Sequence, residues 1–313
     1  MTADDAPRLL DAQTAAWVSL VLMALAVATL AFALAVAVVR STYHGGAGLG
    51  ALNLLLAAQS GWGKSFKAQH VIEENLPEYD HVLVLDYCDE YRGLVKEGLA
   101  SWWIAGPRER AWSASTWHDF VAANQKVVLA RHDRMTTDDW QAVCAAAIQG
   151  ARRLGDVLIV VDEAHFVAPQ VGGVPDPITG LATTGRGEGA SSIWITQRPA
   201  KAEETVIAQC QARLLGGFES DADLRKVDGI TEYPSDLHNP QVETVPGAPD
   251  ALMPEGRDRP QSLQKQENDH GDTIGSEWVI SDNSGERERQ STAGLADEMA
   301  STHYGNQGKG IKV

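Results

Sequence analysis

Residues 53–67 read NLLLAAQSGWGKSFK, an apolar run that breaks into a glycine-containing loop ending in Gly63-Lys64-Ser65. Counted back from that triplet, the spacing from Ala58 is that of a phosphate-binding loop with alanine at the first glycine position. Gly61 and Gly63 would let backbone N–H groups converge on phosphate oxygens at the positive end of the following helix. The alternative is a glycine-rich turn that happens to precede a lysine.

The loop supplies the candidate nucleotide-binding residues. Lys64 would reach the β- and γ-phosphates, and the Ser65 hydroxyl would be a ligand of Mg²⁺. The pattern therefore predicts ATP and Mg²⁺ as cofactors. The predicted nucleotide-binding residues are Ala58, Gln59, Ser60, Gly61, Trp62, Gly63, Lys64, Ser65 and Phe66.

A second apolar run, residues 156–165 (DVLIVVDEAH), contains the paired acids Asp162 and Glu163. Such a run suits a strand buried on both faces of a parallel sheet, which would deliver both carboxylates to the edge where open α/β sheets bind ligands. Asp162 would hold Mg²⁺ through water, and Glu163 would orient and deprotonate the attacking water. The alternative is a strand that merely ends in solvated acids.

Composition limits the class of protein. Asp and Glu number 42 against 26 Lys and Arg, for a formal net charge of −16. This acidity fits a high-salt cytoplasm and argues against a protein that coats DNA generally, although it is compatible with a pore or groove of local positive charge. Cys88, Cys144 and Cys210 form no C-x-x-C pair, which predicts reduced thiols in a cytosolic domain.

The N-terminal region predicts a membrane anchor. Residues 15–39 carry no charged side chain, and this length is enough to cross a bilayer. The acidic start favours an uncleaved anchor over a signal peptide, and a buried core helix is the alternative. Because an ATP site must face the cytosol, we predict a single-pass membrane protein with the short segment 1–14 outside and a linker at 40–50.

Residues 51–240 alternate strand-like and helix-like segments, which predicts a parallel α/β ATPase domain. The predicted helices include Lys64–Asn75 and Asp138–Leu154. The predicted strands are Leu52–Ala57, His81–Asp86, Lys126–Arg131, Val157–Asp162, Ser191–Thr196 and Ala212–Phe218. The strand at Lys126–Arg131 lies between the two nucleotide motifs, and an added strand there, with a glutamate beside the magnesium aspartate, indicates the additional-strand catalytic-glutamate NTPases. Residues 241–313 show no sustained period and predict an acidic, polar, disordered tail.

Two further clusters resemble the HerA/FtsK family of ATPases. The segment VLVLDYCDEYRGL contains Asp86-x-x-x-Glu90-Tyr91, which resembles the D-P-x-G-E-Y segment of the HerA branch. The segment GRGEG at 185–189 leads into SSIWITQRPAK, which resembles the family's arginine, glycine, apolar strand and T-Q-R-P series. The resemblance covers roughly residues 52–227, and Ala58 departs from the usual glycine.

This resemblance implies a RecA-like P-loop NTPase core with a mostly parallel sheet flanked by helices, here preceded by the predicted transmembrane helix. It also implies a ring, usually a homo-hexamer, with ATP at subunit interfaces and double-stranded DNA threaded through the centre. Gln197 would be the polar sensor of the γ-phosphate, and Arg186 would enter the neighbouring site as an arginine finger. Asp86 and Glu90 would tune the magnesium or water environment. The alternatives are a solvated loop cation for Arg186 and a surface acid for Glu90.

A minimal motor behind one membrane helix resembles genome-packaging ATPases of membrane-containing viruses, and a haloarchaeal viral or plasmid origin would fit the acidity. The leading hypothesis is a membrane-anchored, ring-forming ATPase that translocates double-stranded DNA in genome packaging or DNA transfer. The second hypothesis is a virion, membrane-assembly or secretion NTPase that acts on protein. The third is a nucleotide-binding structural protein with little turnover.

Overall fold

The computed structural model describes residues 52–310 of the chain. Its strands are β1 (Asn53–Ala57), β2 (His81–Asp86), β3 (Ser101–Ala105), β4 (Lys126–Arg131), β5 (Val157–Val161), β6 (Ala190–Thr196), β7 (Ala212–Leu215), β8 (Lys265–Glu267), β9 (Thr273–Asp282) and β10 (Arg287–Ser291). Its α-helices are α1 (Lys64–Asn75), α2 (Arg92–Lys96), α3 (Ala114–Asn124), α4 (Thr137–Ala151), α5 (Ala164–Val167), α6 (Asp176–Thr183), α7 (Glu204–Ala208) and α8 (Asp221–Asp228).

The strands form one sheet in the order β10-β9-β7-β1-β6-β5-β2-β4-β3, with β8 paired to β9. Every pairing from β7 to β3 is parallel, and β8, β9 and β10 pair antiparallel. The mostly parallel α/β sheet is therefore confirmed. The strand that separates β1 from β5 is β6, whereas the segment Lys126–Arg131 lies beyond β2 as β4. The strand Lys126–Arg131 thus lies between the two nucleotide motifs in the sequence, as predicted, but not between β1 and β5 in the sheet.

Helices cover both faces of the sheet, and β1 supplies side chains to each face. Leu55 packs in one core with residues of α3, α4 and α6. Leu54 and Leu56 pack in the other core with α1, which contributes Ala68 and Ile72. Because alternate side chains of a strand face opposite sides, a run that is apolar at every position fits a strand buried on both faces.

The C-terminal part of the described chain differs from the expected disordered tail. Strand β9 pairs with β7 in the main sheet, with Ile280 opposite Leu214 and Val279 opposite Leu215. Trp278 is fully buried in the core that also contains α1. The segment lacks a regular apolar period because β9 also buries small polar residues, including Ser276 and Ser281.

The prediction of a single-pass membrane protein requires correction. Within residues 52–310, no helix is both long enough and apolar enough to cross a membrane. That finding contradicts the predicted membrane localisation. The segment 15–39, on which the prediction rested, lies outside the residues that the structure describes.

Candidate functional site

The phosphate-loop segment connects the end of β1 to the start of α1, at the carboxyl edge of the parallel strands. Gly61 and Gly63 have positive φ angles of 75° and 80°, a conformation that glycine adopts without steric cost. Gly63 directly precedes α1, whose first residue is Lys64. The sequence therefore folds here as the motif requires, with a glycine-containing turn opening onto a helix N-terminus.

Lys64 faces the two acids that follow β5. Its Nζ lies 3.4 Å from Oε1 of Glu163 and 3.8 Å from Oδ1 of Asp162. All three side chains are buried. Burial lowers the pKa of Lys64, but attraction by Asp162 and Glu163 outweighs it, so the net shift is upward and the amine stays charged. The structure thus brings together the loop lysine and the acid pair that the sequence motifs predict.

Glu163 has a left-handed backbone conformation with φ 46°, which is uncommon for a residue with a side chain. Its Oε2 lies 3.3 Å from Nδ1 of His165, and the same nitrogen lies 3.1 Å from Oγ1 of Thr196 at the end of β6. Burial and the nearby Lys64 lower the pKa of His165 to about 4, so the ring is neutral near pH 7. His165 was missed by sequence reasoning, and its only signal was its position two residues after Glu163.

A third buried carboxylate, that of Asp86, lies at the end of β2. It accepts hydrogen bonds from the backbone N–H groups of Glu90 and Tyr91, both at 3.1 Å. The Tyr91 hydroxyl donates to Oδ1 of Asp162 at 3.4 Å. The Asp86-x-x-x-Glu90-Tyr91 pattern therefore folds into a turn that closes on the acid pair.

In this buried cluster the three carboxylates, those of Asp86, Asp162 and Glu163, outnumber the single cation, Lys64. Burial and the neighbouring Glu163 and Glu90 raise the pKa of Asp162 to about 7, against the opposing effect of Lys64. Burial and the Asp162 charge raise the pKa of Asp86 well above its usual range. Additional positive charge in the site would therefore be stabilising, because like charges at close range disfavour joint ionisation.

A magnesium ion fits this donor set. Among the described residues, Oδ2 of Asp162 is buried without a hydrogen-bond partner, and such an atom is costly unless something binds it. The side chain of Ser65, at the start of α1, is half-buried. Hydroxyl and carboxylate oxygens are ligands that Mg²⁺ accepts, and nucleotide phosphates and water commonly complete its shell. Within residues 52–310, no group of three or more His, Cys, Asp or Glu is arranged to hold a metal.

Gln197 lies beside the loop, in an open cleft of about 900 Å³. The cleft is lined by Gln59 and Ser60 of the loop, by His165, and by Arg198 and Lys201. Gln197 directly follows β6, the strand between β1 and β5, so its position fits the predicted contact with a γ-phosphate. Arg198 is held by an ion pair of 3.1 Å between its Nε and Oδ2 of Asp223.

Arg186 lies elsewhere. It is an exposed residue of the turn Gly185–Glu188, which precedes β6. Because β6 runs parallel to β1, its start is at the sheet edge opposite to the phosphate loop. The structure therefore does not bring Arg186 to Lys64, Asp162 and Glu163 of the same chain.

The C-terminal strands contact the loop, although the apolar triplet Trp278-Val279-Ile280 was the only sign of a docked segment in this part of the sequence. Trp62 is fully buried, and its Nε1 donates to the carbonyl oxygen of Glu277 at 3.1 Å. The hydroxyl of Thr273 donates to the carbonyl oxygen of Gly61 at 2.8 Å. On its other side, the Trp62 ring lies against the backbone of Gly216 and Gly217, where a Cβ atom would come within 2.4 Å of the ring. The loop is thus held between two segments that are distant in sequence.

Comparisons with known proteins identify solved structures with a similar fold. No protein-family model and no curated protein matches the chain. The genome packaging NTPase B204 from Sulfolobus turreted icosahedral virus 2 is similar in its sulfate complex, with 15% identity, 78% of this chain and 97% of that chain covered, and a TM-score of 0.50. Its ATP-gammaS complex gives 14% identity, 77% and 97% coverage, and a TM-score of 0.49.

A further similar structure is the pCW3 conjugation coupling protein TcpA, with 12% identity, 76% of this chain and 59% of that chain covered, and a TM-score of 0.40. The similarity to the sulfate complex of B204 is a similarity of fold, and it agrees with the mostly parallel α/β NTPase fold that the sequence predicts.

Proposed function

We propose that this chain is a Mg²⁺-dependent ATPase that couples ATP hydrolysis to the translocation of double-stranded DNA, in genome packaging or DNA transfer. The observation that carries the proposal is the buried contact of Lys64 with Asp162 and Glu163, 3.8 and 3.4 Å away, beside a glycine-containing loop. Burying these charges is expensive and serves no packing purpose that apolar residues would not serve better. The shared fold with B204, a genome packaging NTPase, supports DNA as the translocated substrate.

The arrangement indicates how hydrolysis would proceed. Phosphate oxygens would draw Lys64 away from Glu163, which leaves Oε1 able to accept a proton from the attacking water. Oε2 of Glu163 has no hydrogen-bond partner among the described residues, and the neutral His165 ring, 3.3 Å away, would limit where that carboxylate can turn. Gln197 would position the γ-phosphate from the end of β6. A magnesium ion held through Ser65 and Asp162 would offset the charge of the phosphates.

The proposal includes a ring of identical subunits. Arg186 lies at the opposite end of β6 from the subunit's own phosphate loop, so it would act on the nucleotide of a neighbour. An arginine supplied in this way contributes about 10³–10⁵ in rate in other NTPases. A homo-hexamer is the ring size that the sequence resemblance implies.

The test is the rate of ATP hydrolysis with and without duplex DNA, at several salt concentrations. We expect Mg²⁺-dependent hydrolysis that duplex DNA stimulates, with the stimulation declining as salt rises because phosphate contacts are screened. Lys64→Ala serves as the inactive control. A rate of hydrolysis that duplex DNA does not change would favour a motor acting on protein. An absence of hydrolysis would favour a nucleotide-binding structural protein.

A further inference from the structure

The segment 300–304, here named the C-terminal strap, is bound by a buried side chain of α1. Gln69 of α1 is fully buried and uses its whole amide on this strap. Its Nε2 donates to Oγ of Ser301 at 2.7 Å and to the carbonyl oxygen of Thr302 at 3.3 Å. Its Oε1 lies 2.8 Å from Nδ1 of His303. The amide therefore has no group left over for a ligand.

The strap also touches α2, at Gly93. An ideal Cβ at Gly93 would lie 2.1 Å from the carbonyl oxygen of Thr302 and 2.6 Å from Nε2 of Gln69, so a side chain there would not fit. One turn further along α1, the Glu73 carboxylate accepts hydrogen bonds from the backbone N–H of Ser301 at 3.0 Å and from its hydroxyl at 2.5 Å. Helix α1, helix α2 and the strap therefore meet at one junction, with Gln69 between them.

Each of the two helices leads directly to one part of the candidate site. Helix α1 begins at Lys64, five residues before Gln69. Helix α2 follows the turn at residues 86–91, here named the acid turn, whose last residue, Tyr91, is fully buried. The Tyr91 hydroxyl donates to Oδ1 of Asp162 at 3.4 Å. The junction therefore connects the helix of the loop lysine to the turn that contacts the acids.

We propose that Gln69, together with the C-terminal strap, is a positioning residue for hydrolysis that holds the acid turn in place relative to Lys64. This inference rests on the proposed function, because it concerns the acids of the same site. Misplacing reacting groups by about 1 Å can cost about 10²-fold in rate, so a loosened junction slows hydrolysis. The phosphate loop is held by other contacts, those of Trp62 and Thr273, so ATP affinity does not depend on the junction.

Two substitutions loosen the junction from opposite sides. Gln69→Ala removes the amide, and Gly93→Ala forces the strap away from α2. In both variants we expect the turnover number, measured well below the thermal midpoint, to fall about tenfold. Calorimetric titration with the non-hydrolysable ATP analogue AMPPCP and Mg²⁺ should give an affinity within about twofold of the wild-type value. Ser301→Ala removes only one hydroxyl from the junction, so it provides the same comparison, with a smaller fall in turnover, if either variant does not fold.

Gln290→Ala is the matched control. Gln290, in β10, also connects the C-terminal region to α1, because its Oε1 accepts a hydrogen bond from Nζ of the buried Lys67 at 3.3 Å. This contact involves neither α2 nor the strap. We therefore expect Gln290→Ala to lower the thermal midpoint and to leave the turnover number unchanged. A purely structural role for Gln69 would give that same pattern in Gln69→Ala.

Three results would overturn the inference and leave the proposed ATPase intact. The first is a wild-type turnover number in Gln69→Ala and Gly93→Ala. The second is a loss of AMPPCP affinity as large as the loss of turnover, and the third is an equal loss of turnover in Gln290→Ala. A wild-type chain that binds AMPPCP but does not hydrolyse ATP would overturn the proposed function, and the inference with it.

Discussion

Replacing Gly217 with alanine should destabilise the protein by about 1–3 kcal/mol, the usual cost of overfilling a packed interior. An ideal Cβ at this position would lie 2.4 Å from Cη2, 2.5 Å from Cζ3 and 2.7 Å from Cζ2 of the Trp62 ring. Real Cβ atoms essentially never approach other heavy atoms more closely than 3.0 Å, so either the ring or the backbone must move.

The Trp62 ring has little room to yield. It is fully buried, its Nε1 is bonded to the carbonyl oxygen of Glu277, and Gly216 lies against its five-membered ring. The displacement should therefore pass along the chain to Gly61 and Gly63, which flank Trp62. For this reason we expect Gly217→Ala to weaken ATP binding in addition to lowering stability.

Urea unfolding followed by circular dichroism measures the effect. Gly187→Ala is the matched control, because no heavy atom lies within 4 Å of its Cβ position, and its cost should stay within about 0.5 kcal/mol. Trp62→Phe removes the ring atoms that clash, so the double variant with Gly217→Ala should be less destabilised than the sum of the single variants, by about 1 kcal/mol or more. A Gly217→Ala protein with the wild-type urea midpoint, or strict additivity in the double variant, would refute this reasoning.

Three other predictions concern chemistry and pH. Lys64→Ala should weaken both ATP binding and turnover, whereas Glu163→Gln should retain ATP and stall hydrolysis; wild-type turnover in Glu163→Gln would show that the base is another residue. Arg186→Ala and Lys64→Ala subunits should each be inactive alone but recover activity when mixed, and a mixture that assembles yet stays inactive would place the finger elsewhere. Burial lowers the pKa of His238 to about 4, from about 6.5 for an ordinary histidine. The unfolded chain therefore binds the proton first, and the free energy of unfolding should fall by about 3 kcal/mol for this residue as pH drops from 6.5 toward 4. His238→Gln should flatten that slope in urea unfolding at stepped pH, and an unchanged slope would contradict the assignment.

The contact of Lys64 with Asp162 and Glu163 was predictable because the signals of the candidate nucleotide site are local. One signal is the spacing of Gly63-Lys64-Ser65, and the other is the apolar run that ends at Asp162; each lies within a short segment of the sequence. Parallel strands bring their carboxyl ends to the same edge of the sheet, so the two segments are expected to meet there. The strands β1, β2, β4, β5, β6 and β7 were each predicted to within a few residues. What the sequence did not reveal was the order of the strands across the sheet, in which β6 lies between β1 and β5 and the strand Lys126–Arg131 lies beyond β2.

The missed parts depend on partners distant in the chain. Strand β9 buries Ser276 and Ser281 as well as Trp278 and Val279, so it shows no alternation of apolar and polar residues. The hydroxyl of Ser276 is satisfied by Thr292 and Trp278, contacts that only the folded hairpin creates. The role of Trp62 was hidden for the same reason, since its burial requires Gly216, Gly217 and Glu277 together.

The contact between Trp62 and Glu277 spans 215 positions along the chain, and that between Gly61 and Thr273 spans 212. A growing polypeptide therefore contains its phosphate loop long before β9 has been synthesised and can pack against it. Contacts between such remote residues form late and slow folding, because the intervening chain must be closed before they contribute. We expect nascent chains that end before residue 273 to expose Trp62 and to bind ATP weakly, which makes completion of β9 the step at which this protein matures.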